Sequence, residues 1–355
     1  MEDYDIFGGR EKKKKSNELT LVAGDLFKIL TDGESLRSTL IMILSDDFHY
    51  GHNFTVLSQI LGVNFAIKIS VIDIGSEDLV TIEKSIITEI NTEIVKKNIS
   101  PCFIKKIVSY ELPLSNYNVK GCERFDTVFA SNAKDMFTDT ICTYKGDLSA
   151  GSIKDELNFM IMETCDVSFR KLLVSVAKVD IPFIKASLFM IYHALYCADK
   201  LLGFVHGDLH PGNIMFVNFG IGDYMDPCEP RAIRYIIDGE KVDVPWYGMM
   251  PKIIDFGFSS TEKIQYNNKN DDQDILYDFL RLMHFIAIET TSTAIYNVII
   301  KELSYIDETL SFVKYKKDKV KSFVQNTNKH KLLLKLSAWF KSNVEFKILH
   351  TYDPL

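Results

Sequence analysis

One octapeptide constrains this chain more than any other stretch: His206-Gly207-Asp208-Leu209-His210-Pro211-Gly212-Asn213. It follows a long apolar-periodic run. Phe183, Ile184, Ser187, Leu188, Ile191, Ala194, Leu195, Ala198 and Leu201 share one helical face, which predicts a strong helix over Ile181–Gly203, stopped by the glycine. After the octapeptide, Ile214-Met215-Phe216-Val217 reads as a short buried strand. Helix, tight Pro-Gly loop, strand: such an arrangement fixes Asp208 and Asn213 in space, five residues apart. A carboxylate that orients a hydroxyl and takes its proton, beside an amide oxygen that holds a metal, is what phosphoryl transfer from a nucleotide needs.

The segments upstream supply candidates for the rest of such a site. Leu26, Phe27, Ile29 and Leu30 suit a short helix, and Leu40–Leu44 suits a buried strand. A polar, turn-like stretch over 45–53 leads to Phe54–Leu61, and a Gly62-Val63-Asn64 turn joins that run to Phe65–Ile72 as a hairpin. Lys68 lies in the second strand among apolar residues, as Phe65-Ala66-Ile67-Lys68. Taken alone it is an ordinary face-out lysine; upstream of the Asp208 loop it suits pairing with nucleotide phosphates. Glu77–Lys97 reads as a helix with Ile82, Ile86, Ile87, Ile90 and Ile94 as its apolar stripe. Glu89 and Glu93 share one face of it and are the candidates to hold Lys68; Glu89 is preferred for its spacing from the lysine. Cys102–Val108 and Leu157–Met162 read as two further strands, with a polar insertion between them at about 115–154. Met162-Glu163-Thr164-Cys165 then reads as a hinge whose backbone groups suit an adenine ring.

Downstream, Arg231–Ile237 and Lys241–Val244 flank an Asp238-Gly239 turn and predict a hairpin. Pro251-Lys252-Ile253-Ile254-Asp255-Phe256-Gly257 delivers an acidic residue from a short strand into a glycine turn. Alone that is a common turn; opposite Asn213, Asp255 supplies a second hard oxygen ligand suited to magnesium. A helix opens at Asp274 with an acidic first turn, and the chain reads as helical to about 342. The Lys-rich surface at 314–321 reads as a solvated face, and His193, His284 and His330 as structural or surface residues.

Composition removes other classes. The chain has 355 residues, 46% of them hydrophobic and 25% charged, enough for two lobes with real cores. A net charge of −7 argues against a nucleic-acid partner bound through bulk positive charge. Residues 1–20, including the basic run Arg10–Lys15, read as a flexible arm. No apolar stretch follows that run, and no run approaches the roughly 18 apolar residues of a membrane span. The six cysteines (102, 122, 142, 165, 197, 228) form no Cys-x-x-Cys pair and read as reduced thiols.

Lysine strand, glutamate helix, hinge, Asp/Asn loop and Asp-Phe-Gly, in that order, resemble the protein-kinase fold from about 40 to 340. The octapeptide through Ile214, the Tyr235–Gly239 hairpin and Val244-Pro245 leading to Pro251–Phe258 are similar to the serine/threonine kinases described for large cytoplasmic DNA viruses. The resemblance implies an α+β, bilobal architecture with a small β-rich N-lobe over 21–163 and a larger, mainly helical C-lobe over 164–355 that carries a hairpin insertion near 218–250. It implies ATP and Mg2+, with Lys68 and Glu89 at the phosphates, Met162, Glu163 and Cys165 at the base, and Asn213 and Asp255 on the metal. Asp208 would be the catalytic base, and Asp274 the structural aspartate of the large-lobe helix. His210, partly charged near its ordinary pKa, would donate to the transferring phosphoryl group. The implied acceptor is a protein Ser/Thr hydroxyl, and the implied setting is the cytoplasm of an infected host cell or its virion. The resemblance implies nothing about oligomeric state.

The sequence departs from the family in four places. Only Gly51 is a candidate for the glycine-rich loop. Position 210 is His where a lysine is usual. The segment from Gly257 to Asp274 is short, and an Ala-Pro-Glu motif is absent. The octapeptide also occurs in small-molecule phosphotransferases acting on aminoglycosides or choline, which is the alternative reading. A catalytically silent pseudokinase scaffold is the third.

Overall fold

Period-two alternation places Phe54, Val56 and Ile60 on one face of their strand, and Phe65, Ile67, Ile69 and Val71 on the same face of the next. The computed structural model describes residues 28–43, 53–60, 62–75, 79–120, 133–175, 179–219, 230–265, 274–306, 324, 327–341 and 345–352. The basic run Arg10–Lys15, Gly51 and the 314–321 surface lie outside the described residues. The chain divides into two units: residues 1–84 with 105–164, and residues 85–104 with 165–355. The assignment of Ser85–Ile104 to the second unit is not foreseen by a division at 163/164.

The first unit is a five-stranded antiparallel sheet in the order β1-β2-β3-β5-β4. Its strands are β1 (Leu40–Ile43), β2 (Asn53–Ile60), β3 (Val63–Asp73), β4 (Lys106–Leu112) and β5 (Ile153–Met162). β1 was expected to be buried, but as an edge strand it leaves Ile41 and Met42 exposed. The apolar face of the sheet packs on Leu36 of helix α1 (Gly33–Thr39) and on Phe137, Ile141 and Tyr144 of helix α3 (Ala133–Ser149). Asp32 caps α1 by accepting from the Ser35 N–H at 3.3 Å. Helix α3 lies within the stretch expected to be a polar insertion. Its stripe, 137-141-144-148, has helical spacing inside an otherwise polar composition. The opposite face of the sheet carries Ala66 and Lys68, in register with Met162 and Met160 of β5. Helix α2 (Leu79–Ile90) gives its first part to this unit and its remainder to the second.

The second unit is built on helix α5 (Ile181–Leu202), which follows the short helix α4 (Phe169–Val174). Asp180 caps α5 through the Phe183 N–H at 2.8 Å, and Gly203, in the left-handed region at φ 61°, ends it. By length and composition α5 is apolar enough to cross a membrane, but 83% of its most apolar window is buried inside the protein, as for a core helix. Two small sheets flank it. One has the order β10-β7-β6, built from β6 (Val167–Ser168), β7 (Ile214–Asn218) and β10 (Met249–Ile253). The other is β11-β8-β9, in which the expected hairpin, β8 (Arg231–Ile237) and β9 (Glu240–Pro245), turns through Asp238 (φ 53°) and Gly239 (φ 78°). Strand β11 (Lys347–Tyr352) runs parallel to β8 and was not foreseen. Helices α6 (Ile275–Glu289), α7 (Thr293–Ile306) and α8 (Lys329–Ser337) complete the described part. The fold class is therefore α+β, with a β-rich first unit and a larger second unit rich in helix. Cys102, Cys165 and Cys197 stand outside any disulfide, whereas Cys142 is disulfide-bonded. That corrects the reading of six reduced cysteines; tertiary proximity, which spacing does not report, decides pairing.

Candidate active site

In the first unit, period-two alternation puts Lys68 on the sheet face opposite the apolar core. There its Nζ donates to both carboxylate oxygens of Glu83, each at 2.8 Å. Both side chains are nearly buried, 12% and 9% exposed, so each charge depends on the other. This corrects the assignment of Glu89. Glu83 lies on the buried stripe of α2 with Ile86, Ile87 and Ile90, whereas Glu89 faces elsewhere. Glu89 belongs to the second unit, where it accepts from Thr261 Oγ1 at 2.8 Å and pairs with Lys263 at 3.1 Å. Glu93, the other candidate, pairs with Lys97 one turn on. The overlooked signal was a carboxylate inside an apolar stripe, which needs a buried cation to be tolerated.

The strand carrying Met162 ends at the proposed hinge. By register with Ala66, Met162 shares the Lys68 face of the sheet. Glu163 and Lys105 are tied both ways: the Glu163 N–H donates to the Lys105 carbonyl at 3.0 Å, and the Lys105 N–H donates to Glu163 Oε1 at 2.7 Å. Glu163 is thus a backbone clasp. Cys165, half-buried, is the first residue of the second unit after this clasp.

In the second unit the octapeptide is held from several directions. Gly207 has φ 80°, a conformation that side chains disfavour, and it turns the loop. Asp278 of α6 is buried and accepts from the backbone N–H of His206 at 2.7 Å and of Gly207 at 3.0 Å. Burial pushes its carboxyl up to about 7, against the opposing pull of those two N–H groups. This corrects the expected role of Asp274, which caps α6 through the Leu276 N–H at 2.8 Å and pairs with Lys329 at 2.9 Å. The structural aspartate lies one turn further on. His206 is buried; its Nδ1 accepts from the Asp208 N–H at 3.3 Å, and its Nε2 lies 3.0 Å from the Ile254 carbonyl. These partners assign the neutral tautomer with the proton on Nε2, and burial lowers its pKa.

Asn213 closes the loop on itself, its Nδ2 donating to the Asp208 carbonyl at 3.0 Å. That fixes the amide plane and leaves its oxygen as the hard donor. Its backbone carbonyl accepts from the Ile254 N–H at 3.0 Å, continuing the antiparallel pairing of β7 with β10. The same ladder delivers Asp255, next in the chain, beside Asn213. Asp255 has φ 62°, a left-handed conformation that costs a non-glycine residue roughly 1–3 kcal/mol and persists where the surroundings impose it. Phe256, fully buried against Phe103, Phe204 and His206, is one such anchor. An amide oxygen and a carboxylate carried by neighbouring strands are donors of the kind that suits a hard cation such as magnesium. Among the described residues no group of three or more His, Cys, Asp or Glu side chains gathers into a self-sufficient metal cage. A cation here would need oxygens from a bound phosphate, as magnesium with a nucleotide has.

Asp208 is flanked by two groups. Arg281 Nη2 lies 2.6 Å from its Oδ1, and His210 Nε2 lies 3.7 Å from its Oδ2. His210, expected to be a partly charged donor, is tied within its own loop. Its Nδ1 accepts from the Gly212 N–H at 3.0 Å, and burial lowers its pKa against the opposing pull of the Asp208 carboxylate. Gly212 permits this ring position, since a Cβ there would lie 2.7 Å from His210 Cε1. Beyond Gly257, Ser259, Ser260 and Thr261 are fully buried. Ser259 Oγ donates to the His206 carbonyl at 2.9 Å, and Ser260 exchanges backbone hydrogen bonds with Val205, each 2.9 Å. With Thr261 held by Glu89, the start of the short segment is pinned to the loop it follows.

No protein-family model matches the chain, and no curated protein does. Solved structures of kinase domains are similar to it. The crystal structure of the PF14_0431 kinase domain is 16% identical, covers 86% of this chain and 80% of its own, and has a TM-score of 0.41. The Rad53 kinase domain with SCD2 is 13% identical, covers 83% of this chain and 90% of its own, and has a TM-score of 0.40.

Proposed function

We propose that the chain is an ATP-dependent phosphotransferase that acts on Ser/Thr hydroxyls of proteins. The observation that supports this most is the self-closed loop, in which Asn213 bonds the Asp208 carbonyl and the Ile254 N–H. Such a loop suits a proton acceptor and two oxygen ligands. In this reading Asp208 orients the acceptor hydroxyl and receives its proton. The acceptor oxygen forms a bond to the γ-phosphorus as the bond from that phosphorus to the bridging oxygen breaks, leaving ADP. Lys68, fixed by Glu83, holds phosphate oxygens, and Met162 with the hinge backbone takes the adenine. Asn213 and Asp255 would hold magnesium, which when bound neutralises charge on the phosphates.

The test is label transfer from γ-labelled ATP by the purified protein to a basic protein, an acidic protein and a panel of aminoglycosides and choline. Label on protein Ser/Thr, lost by several orders of magnitude in Asp208→Asn with MgATP affinity retained, is the expected result. Label on small molecules only would replace the proposed acceptor class. No label and no MgATP binding would leave a scaffold.

A further inference from the structure

We propose that Arg281, on helix α6 and outside the octapeptide, is the positioning residue for Asp208. The inference rests on the phosphoryl-transfer reading above. Its geometry is that of a clamp. One arm of the guanidinium, Nη2, lies 2.6 Å from Asp208 Oδ1, and the other, Nη1, donates to the Gly207 carbonyl at 3.2 Å. Side chain and backbone of adjacent residues are thus gripped by one planar fork, which an ammonium cannot reproduce. The fork is itself oriented: Arg281 Cζ lies 5.6 Å from the ring centroid of Phe285, one turn along the helix.

The same helix face holds the complementary half of the loop. Asp278, three residues before Arg281, takes the N–H donors of His206 and Gly207, while Arg281 takes the acceptors of Gly207 and Asp208. Donors and acceptors of three consecutive residues therefore end on one helical turn. Two neighbouring side chains have partners of their own. Arg170 is bound through two bonds to Glu289, at 3.0 and 2.9 Å, and His210 Nδ1 is committed to the Gly212 N–H. With Oδ1 held by Arg281 and His210 Nε2 outside hydrogen-bond range at 3.7 Å, Oδ2 is the oxygen presented to an acceptor hydroxyl.

The experiment compares wild type, Arg281→Ala and Arg281→Lys in steady-state label transfer from γ-labelled MgATP to whichever acceptor in the panel above the wild type labels best. Guanidinium ion, which can enter the space left by the alanine variant, is added in a second series. The expected results are a kcat for Arg281→Ala lower by about 100-fold, as for a displaced reacting group, with KM for ATP within about threefold. Arg281→Lys should recover only part of the rate, and guanidinium should raise kcat of Arg281→Ala at least about tenfold without rescuing Asp208→Asn. A kcat for Arg281→Ala within twofold of wild type would overturn the inference while leaving the phosphotransferase reading intact. So would a loss matched by Arg281→Lys in a folded protein and untouched by guanidinium, because that pattern marks a merely structural role. If Arg281→Ala does not fold, Arg281→Lys decides alone: a kcat equal to wild type overturns the clamp, and a lowered kcat with unchanged KM for ATP supports it. A wild type that neither labels an acceptor nor binds MgATP removes the reading and the inference together.

Discussion

Replacing Glu83 with glutamine isolates the ion pair on the first unit's sheet. At 2.8 Å and an effective dielectric of about 20, the Coulomb attraction between Lys68 and Glu83 is about 6 kcal/mol. Desolvation of two nearly buried groups offsets much of that, so the pair's net value is small. Breaking it from one side is different, since it leaves a buried charge uncompensated, at about 3–5 kcal/mol. Glutamine keeps one acceptor oxygen for Lys68, so the expected destabilisation is about 2–4 kcal/mol. Glu89→Gln serves as the control. Lys263, its ionic partner, is 78% exposed, and the Thr261 hydroxyl can still donate to the amide oxygen, so the loss stays below about 1 kcal/mol. Urea unfolding of wild type, Glu83→Gln, Lys68→Met and the double variant gives a cycle whose coupling is expected near 2 kcal/mol. MgATP affinity should fall in Glu83→Gln and hold in Glu89→Gln. Coupling near zero, or equal losses for the two glutamates, would refute the claim that Glu83 is the residue that fixes Lys68.

Two further outcomes follow from the second unit. Asp278→Asn offers one acceptor and one donor where two N–H groups need acceptors, so the His206 or Gly207 N–H is left unpaired at about 1–3 kcal/mol; amide hydrogen exchange in a peptide spanning the octapeptide should accelerate, and unchanged exchange would contradict the anchoring role. Burial lowers the pKa of His193 from 6.5 to about 3, so its neutral form is the one the fold accepts. That contribution is complete above pH 6.5 and declines as pH falls towards 3, reaching a loss of about 2 kcal/mol at pH 5. His193→Phe should flatten the stability profile between pH 7 and 5, and a slope equal to wild type would show that another group carries it.

The parts of the site written in consecutive residues were legible in the sequence. The turn glycines, the Asp208–Asn213 spacing, the stop of α5 and the Asp238-Gly239 hairpin are local, and the structure has them where periodicity and turn chemistry predict. The parts that failed depend on which face of an element is buried. The choice between Glu89 and Glu93 turned on spacing along the chain, whereas burial around α2 singles out Glu83. Asp274 drew the structural role because capping and anchoring aspartates look alike within one acidic turn. Helix α3 was missed because Phe137, Ile141 and Tyr144 are diluted by polar neighbours. Arg281 gave no signal at all, since its importance arises only where α6 meets the octapeptide.

The parallel pairing of β11 with β8 has a consequence for biosynthesis. Strand β8 begins at Arg231, but the neighbour that covers its open edge begins only at Lys347. A nascent chain can zip the β8–β9 hairpin early, yet the row of backbone groups on the far side of β8 waits until Lys347–Tyr352 leaves the ribosome. During that interval Ile233, Tyr235 and Ile237, all buried in the finished protein, border an edge able to recruit a strand from another chain. Closure then docks Tyr352 against Tyr235, with ring centroids 5.5 Å apart, making a side chain synthesised more than a hundred residues later the lid over Tyr235.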